Sequence, residues 1–167
     1  VAKDFPKIVF EHCSGFKTAP NVGNYFGKIE QARYLTGLVA GKMTKSNILG
    51  YVAAHPIPEV IRGCNMFTKG VREVNPKAVV KVVWSGSWFD PAKEKEAALS
   101  LISAGADVIA QHQDSPAAQE AAQENKIYSV GYDTDMSEFA PDAHLTAPIW
   151  HWEIFYAETV KKVKDGT

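Results

Sequence analysis

The sequence predicts an α/β fold, a doubly wound parallel sheet with helices on both faces, and three observations carry that prediction. From Asn47 onward, short apolar runs alternate strictly with helix-length segments. The runs are nearly unbroken, as in Ile48-Leu49-Gly50-Tyr51-Val52-Ala53-Ala54 and Ala78–Trp84, which is how strands buried on both sides read. Helix starts recur as cap-and-proline signals, with Pro58 in a first helical position and Asp90-Pro91 and Ser115-Pro116 as caps before prolines. Strands joined this way take right-handed crossovers and share a direction, so their carboxyl ends should form one rim.

Taken in order, Lys7-Ile8-Val9-Phe10 reads as a short strand closed by Glu11-His12-Cys13-Ser14-Gly15. Phe16 to Asn24 reads as loop, marked by Pro20, Asn21, Gly23 and Asn24. Tyr25 to Met43 reads as a helix, with Ile29, Ala32, Thr36, Val39 and Met43 at helical spacing. Its Gly37, Ala40 and Gly41 offer small faces on which another element can sit closely. Asn47 to Ala54 is a strand ending in His55-Pro56-Ile57-Pro58. The next helix buries Val60, Cys64, Phe67, Val71 and Val74 and stops at Asn75-Pro76. After the strand Ala78–Trp84, Asp90 caps a helix that ends at Gly105. Asp107 to Gln111 is a strand, Ser115 to Asn125 a helix, and Ile127 to Tyr132 a further strand. Ala143 to Thr146 reads as a shorter sixth one. Ile149 to Lys164 reads as a last helix carrying Trp150, Trp152, Phe155 and Tyr156.

Composition narrows the function classes. The chain has 167 residues, enough for a sizeable core. A formal net charge of −1, without any basic run, argues against nucleic acid or an anionic membrane surface as partner. No apolar run approaches a membrane span. The chain begins at Val1 rather than Met, and both ends read as cut. Cys13 and Cys64 lack CxxC spacing and read as two buried thiols rather than a redox or metal motif. The histidines are dispersed without a metal-ligand pattern, so no metal or cofactor is expected. No GxGxxG follows a strand, and no GxxxxGK[ST] exists. No nucleophile with an activating partner is recognisable, which argues against an enzyme.

What the rim should carry is therefore informative. The loops after the strands offer His55 and Pro56, then Trp88 and Phe89, then His112 to Ser115, then Asp133 and Asp135. Glu11 and His12 would close the first strand there. Rings beside carboxylates and amides suit a small planar ligand that stacks and donates hydrogen bonds. Each residue also has a structural reading. Asp133 and Asp135 can be turn residues, Asp114 and Ser115 helix caps, and Trp88 with Phe89 a packing pair between loop and helix.

Several blocks resemble one family. They are Tyr25-Phe26-Gly27, Gln31-Ala32-Arg33-Tyr34-Leu35-Thr36-Gly37, Gly50-Tyr51-Val52-Ala53 and Ile57-Pro58-Glu59-Val60, with Phe89-Asp90-Pro91-Ala92-Lys93-Glu94-Lys95-Glu96 and Gly131-Tyr132-Asp133-Thr134-Asp135. Together they resemble the basic membrane protein family, the substrate-binding proteins of ABC importers that include purine nucleoside receptors. The resemblance implies a type I periplasmic-binding-protein fold, two Rossmann-like lobes closing on a ligand, of which this chain looks like the middle. Residues 1 to 44 would then be the end of the first lobe and a crossover helix. Residues 45 to 146 would be the second lobe, and 147 to 167 a returning crossover helix.

Carried over position by position, the resemblance implies that Trp88 stacks on the base. Glu11 would accept a hydrogen bond from the base edge, and Asp133 would meet a ribose. Asp114 joins the candidate ligand-binding set from the same rim. Trp150 occupies the position where nucleoside binders carry a Lys beside that Asp, and its indole would fill sugar space. A purine nucleobase such as adenine is therefore expected rather than a nucleoside. Phe89 is expected to pack beneath the Asp90-capped helix. Implied partners are an ABC permease and the missing N- and C-terminal portions of the same protein. The implied location is the periplasm, or a lipoprotein on the outer face of the cytoplasmic membrane. The alternatives are a sensor or transcriptional co-regulator on the same fold, and a nucleoside- or sugar-processing enzyme.

Overall fold

A computed structural model describes residues 1–166. In chain order its elements are β1 (Phe10–Cys13), β2 (Val22–Tyr25), α1 (Ile29–Met43), β3 (Ile48–Ala53), α2 (Pro58–Val74), β4 (Val79–Trp84) and α3 (Pro91–Ser103). Then come β5 (Val108–His112), α4 (Ala117–Glu124), β6 (Tyr128–Val130), β7 (His144–Thr146) and α5 (Trp152–Asp165). Contacts divide the chain into two units. One comprises Val1–Lys28 and the chain from His151 onward, the other Ile29–Trp150.

The larger unit is the doubly wound domain. Its five strands are all parallel in the order β4-β3-β5-β6-β7. The alternation of side chains along β3 decides what covers each face. Leu49, Tyr51 and Ala53 pack with Ala40 of α1 and with Val60, Cys64, Phe67 and Val71 of α2. Val52 points the other way, into Ala97, Ala98 and Leu101 of α3 and Ala118, Ala121 and Ala122 of α4. Central β3 and β5 are almost wholly buried, whereas edge strand β4 leaves Val79 and Trp84 exposed. The small faces of α1 do receive another helix. A Cβ on Gly37 would stand 2.2 Å from the Phe67 carbonyl oxygen, and one on Gly70 would stand 2.1 Å from that of Tyr34. Glycine is what lets the α1 and α2 backbones approach so closely.

The smaller unit departs most from the sequence reading. The first strand is Phe10–Cys13 rather than Lys7–Phe10, because its partner is a parallel strand lying inside the expected loop. Phe10, Glu11, His12 and Cys13 pair with Val22, Gly23, Asn24 and Tyr25. Tyr25 therefore ends β2 and does not begin a helix, and α1 starts only at Ile29. Asn21, whose type signals a turn, donates its side-chain amide to the carbonyls of Ala2, Phe5 and Ile8, tying down the segment before β1. Tyr25 stacks on Phe155 of α5 at 4.2 Å, and its hydroxyl meets that of Tyr156 at 3.1 Å. The final helix begins at Trp152, so Ile149 and Trp150 lie ahead of it. Both cysteines are thiols, with Cys64 buried but Cys13 only half-buried. No helix among the described residues is long and apolar enough to cross a membrane.

Candidate functional site

The carboxyl ends of β3, β4, β5 and β6 all open on one side of the larger unit, and each loop is pinned there. After β4, Ser85 and Gly86 donate their N–H groups to Ala53 O and Ala54 O, prolonging the ladder. Gly86 then turns with a positive φ of 70°, which glycine adopts without strain. The Gln113 amide donates to Ser85 Oγ at 2.7 Å. Asp90 caps α3 by accepting from Lys93 N at 3.2 Å, while Glu94 Oε1 accepts from Asp90 N at 2.8 Å. Between these anchors stands Trp88, 39% exposed, edge-on to His55 at 5.3 Å and tilted over His112 at 6.1 Å. Phe89 is 63% exposed. It does not pack beneath α3, where the buried positions are held by Glu94, Ala97, Ala98 and Leu101.

Asp114 donates its N–H to Trp88 O at 3.0 Å, joining the loops after β4 and β5. It does not cap α4. The N-cap is Pro116, and Ser115 just before it accepts from Ala117 N through Oγ at 3.3 Å while donating to the buried Glu94 carboxylate. Although Asp114 is exposed, its carboxyl is pushed up, first by desolvation against the protein and then by the charges of Asp133 and Glu94.

Asp133 is half-buried and sits in the left-handed region with φ of 72°, a conformation Asp tolerates better than most residues. Two backbone bonds hold it, Asp133 N to Pro148 O at 3.0 Å and Trp150 N to Asp133 O at 3.2 Å. They extend the β6–β7 pairing and bring Trp150 beside Asp133. Burial raises the Asp133 carboxyl and the nearby Arg33 charge lowers it. Among the described residues nothing hydrogen-bonds that carboxylate. Asp135, by contrast, is a turn residue, accepting from Ser137 N at 2.9 Å.

The larger unit thus gathers four of the five sequence candidates, Trp88, Asp114, Asp133 and Trp150. Glu11 belongs to the smaller unit. It lies within β1, not at its end, and β1 is no strand of the five-stranded sheet, so the shared-rim argument does not extend to it or to His12. Its carboxylate lies over its ladder partner Gly23, where an added Cβ would come within 2.7 Å of Oε2.

Sequence reasoning placed His112 among the rim loops and missed Arg33, and the structure buries both beneath the rim. His112 is fully buried, 4.1 Å from the Tyr132 ring, and among the described residues neither of its nitrogens has a hydrogen-bond partner. Burial and then the Arg33 charge push its pKa down to about 2, so the imidazole is neutral. The carboxylate of Glu59 at 3.8 Å is accordingly no ion-pair partner. Arg33 is fully buried against Tyr132 and Tyr51. A basic residue on the apolar side of α1 was the available signal, because such a charge is buried only with a reason. No group of His, Cys, Asp or Glu among the described residues could hold a metal ion.

Comparison with known proteins agrees with this architecture. The Bmp family model, described as ABC transporter substrate-binding protein PnrA-like, matches residues 1–167. A putative ABC transporter glucose-binding protein of Haloferax volcanii is 47% identical over 167 residues, all of this chain and 43% of that protein. A purine-binding protein of Brucella abortus is also 47% identical over 167 residues, covering 48% of its length. The chain therefore spans about half the length of these relatives. An ABC transporter solute-binding protein from Aeropyrum pernix K1 superposes with a TM-score of 0.85 at 19% identity, over 99% of this chain and 50% of that one, which shows the fold. By family match and identity together, the chain belongs to the Bmp family of PnrA-like ABC transporter substrate-binding proteins.

Proposed function

We propose that the whole protein is the extracytoplasmic ligand receptor of an ABC importer and that it binds a purine nucleobase. The observation that carries this reading is the pairing of Trp88 and Asp133 on one rim. Trp88 presents a large exposed ring on a loop held by Gln113 and Asp114, and Asp133 presents a half-buried carboxylate. A stacked aromatic contributes about 0.5–1.5 kcal/mol beyond area burial. A carboxylate accepting from a purine N–H adds roughly 1.5–3 kcal/mol. Trp150, whose backbone N–H is tethered to Asp133 O, would with its indole take up room that a sugar needs, which favours base over nucleoside. Asp114 lies close enough to Asp133 to feel its charge and is the second acceptor on the rim. Glu11 keeps its proposed part, an acceptor for the base edge, on the family likeness alone.

On this reading the protein is no enzyme, needs no cofactor, and delivers its ligand to a membrane permease from the periplasm or a lipid anchor outside the cytoplasmic membrane. The chain supplies part of each lobe and relies on further portions of the same protein. The Brucella abortus relative is named for purine binding and supports this reading. The Haloferax volcanii relative carries a glucose-binding name at equal identity, so the test includes a sugar. Isothermal titration of the full-length protein with adenine, adenosine and glucose decides the matter. Adenine is expected to bind most tightly. Adenosine binding more tightly than adenine would remove the role given to Trp150, and glucose binding most tightly would replace the purine reading.

A further inference from the structure

Glu94 has no solvent exposure, although it stands in the first turn of α3. A carboxylate is rarely buried unless partners meet it. Here two donors do, and they come from different loops. Oε1 accepts from Asp90 N at 2.8 Å, and Oε2 accepts from Ser115 Oγ. Asp90 lies two residues after Trp88, and Ser115 directly follows Asp114. Ser115 Oγ also accepts from Ala117 N, at the start of α4. One side chain therefore joins the loop after β4 to the loop after β5, beside the N-termini of two helices, where negative charge is favoured.

Helix capping alone does not account for this arrangement. Asp90 already caps α3 by accepting from Lys93 N, and a cap works at the surface without the desolvation cost of burial. That cost is offset only if both donors stay in place. Ser115 is held from behind by a buried polar chain. Its carbonyl accepts from Gln111 Nε2 at 3.1 Å, and Gln111 also donates to Gln119 Oε1. Gln119 Nε2 in turn donates to Val130 O at 2.9 Å, at the end of β6. Ser115, Gln111 and Gln119 are all buried, and polar bonds in such an interior specify one arrangement. On the rim itself, Trp88 O accepts from Asp114 N at 3.0 Å, and Ser87 N donates to Ser85 Oγ at 3.2 Å. The Trp88 backbone is thus pinned on both sides while its ring stays 39% exposed.

We propose that Glu94 is a positioning residue of the ligand site: its buried carboxylate clamps the loops after β4 and β5 together and so sets the Trp88 ring and Asp114 in place before ligand arrives. This rests on the reading of Trp88 as the ring that stacks on the ligand. A ring already in place loses less freedom on binding, and affinity rises accordingly.

The test is fluorine NMR of the ligand-free, full-length protein labelled with 5-fluorotryptophan, with the Trp88 signal assigned through Trp88→Phe. Glu94→Ala is expected to broaden or split the Trp88 signal and to leave that of Trp152, in the smaller unit, as it was. Glu94→Gln keeps an acceptor for Asp90 N and gains a donor for Ser115 Oγ, so it is expected to restore one sharp signal. Titration with adenine is the second readout, expected about three- to tenfold weaker for Glu94→Ala and within about twofold of the natural protein for Glu94→Gln. An unchanged Trp88 signal in folded Glu94→Ala overturns the proposal. Equal broadening of Trp88 and Trp152 also overturns it, because that marks a general loss of packing. So does unchanged adenine affinity once the Trp88 signal has broadened. Should Glu94→Ala not fold, Ser115→Ala cuts the link between the loops while leaving the Asp90 bond, and the same signals decide. If adenine fails to bind the natural protein, the purine reading falls, and the ligand-free Trp88 signal still decides the role of Glu94.

Discussion

At the amino ends of β3 and β5, the Asp107 carboxylate accepts from Thr44 Oγ1 at 2.6 Å, Lys45 N at 2.6 Å and Ser46 N at 2.8 Å. Toward the carboxyl ends of the same sheet, the guanidinium of Arg33, both nitrogens of His112, Tyr51 Oη and Gln113 Oε1 have no hydrogen-bond partner among the described residues. The titration directions follow. Burial acts to raise Asp107, but the bonds from Thr44, Ser46 and Lys45 prevail and hold it below the ordinary carboxylate range. Asp133, Asp114 and Glu59 are all raised, with desolvation the largest cause each time. An end whose polar groups satisfy one another is built for stability. An end that leaves them unsatisfied is where a ligand gains most by binding, and perturbed carboxylates gather at such places.

The comparison can be broken most sharply at Asp107. Asp107→Ala orphans three donors and is expected to lower stability by about 2–3 kcal/mol, read by chemical denaturation, with purine affinity unchanged. A loss of affinity in the folded variant would erase the distinction between the two ends. Trp88→Ala should do the reverse. Affinity is expected to fall at least tenfold, about 1.4 kcal/mol, while the melting temperature barely moves, and calorimetry checks both. Unchanged affinity would assign Trp88 to packing.

His112 sharpens the comparison through pH. Unfolded, it takes a proton near its ordinary value of 6.5; folded, not until about 2. Between those values the unfolded chain binds more protons, so the stability is complete above the unfolded value and is lost as pH falls. The slope from this one group reaches at most about 1.4 kcal/mol per pH unit. Denaturation midpoints of the His112→Phe variant should lose that part of the slope. The smallest effect is expected at Phe89. Phe89→Ser should change stability by less than about 0.5 kcal/mol and leave binding untouched, in contrast to its neighbour Trp88.

Much of this was legible without coordinates. The strands from Ile48 to Thr146 and the helices between them follow from runs that are apolar on both faces and from proline starts, because a parallel sheet tolerates little else. Asp90 declared itself as a cap, and Gly37 and Gly41 declared a close helix contact. The smaller unit was misread for a physical reason. Val22-Gly23-Asn24-Tyr25 has turn composition, and only pairing with Phe10–Cys13 makes it a strand. Glu11 lies on that strand pair, in the smaller unit.

The sequence by itself determined the fold class, the order of the larger unit's elements and the placement of Trp88 at a strand's carboxyl end, since periodicity and turn chemistry are local properties of the chain. The tertiary structure decided what stands behind that ring. Arg33, Tyr51, His112 and Tyr132 come from four separate segments and meet only when the helices close over the sheet. No local pattern announces that meeting, because the free energy of a buried charge depends on neighbours far away in the chain.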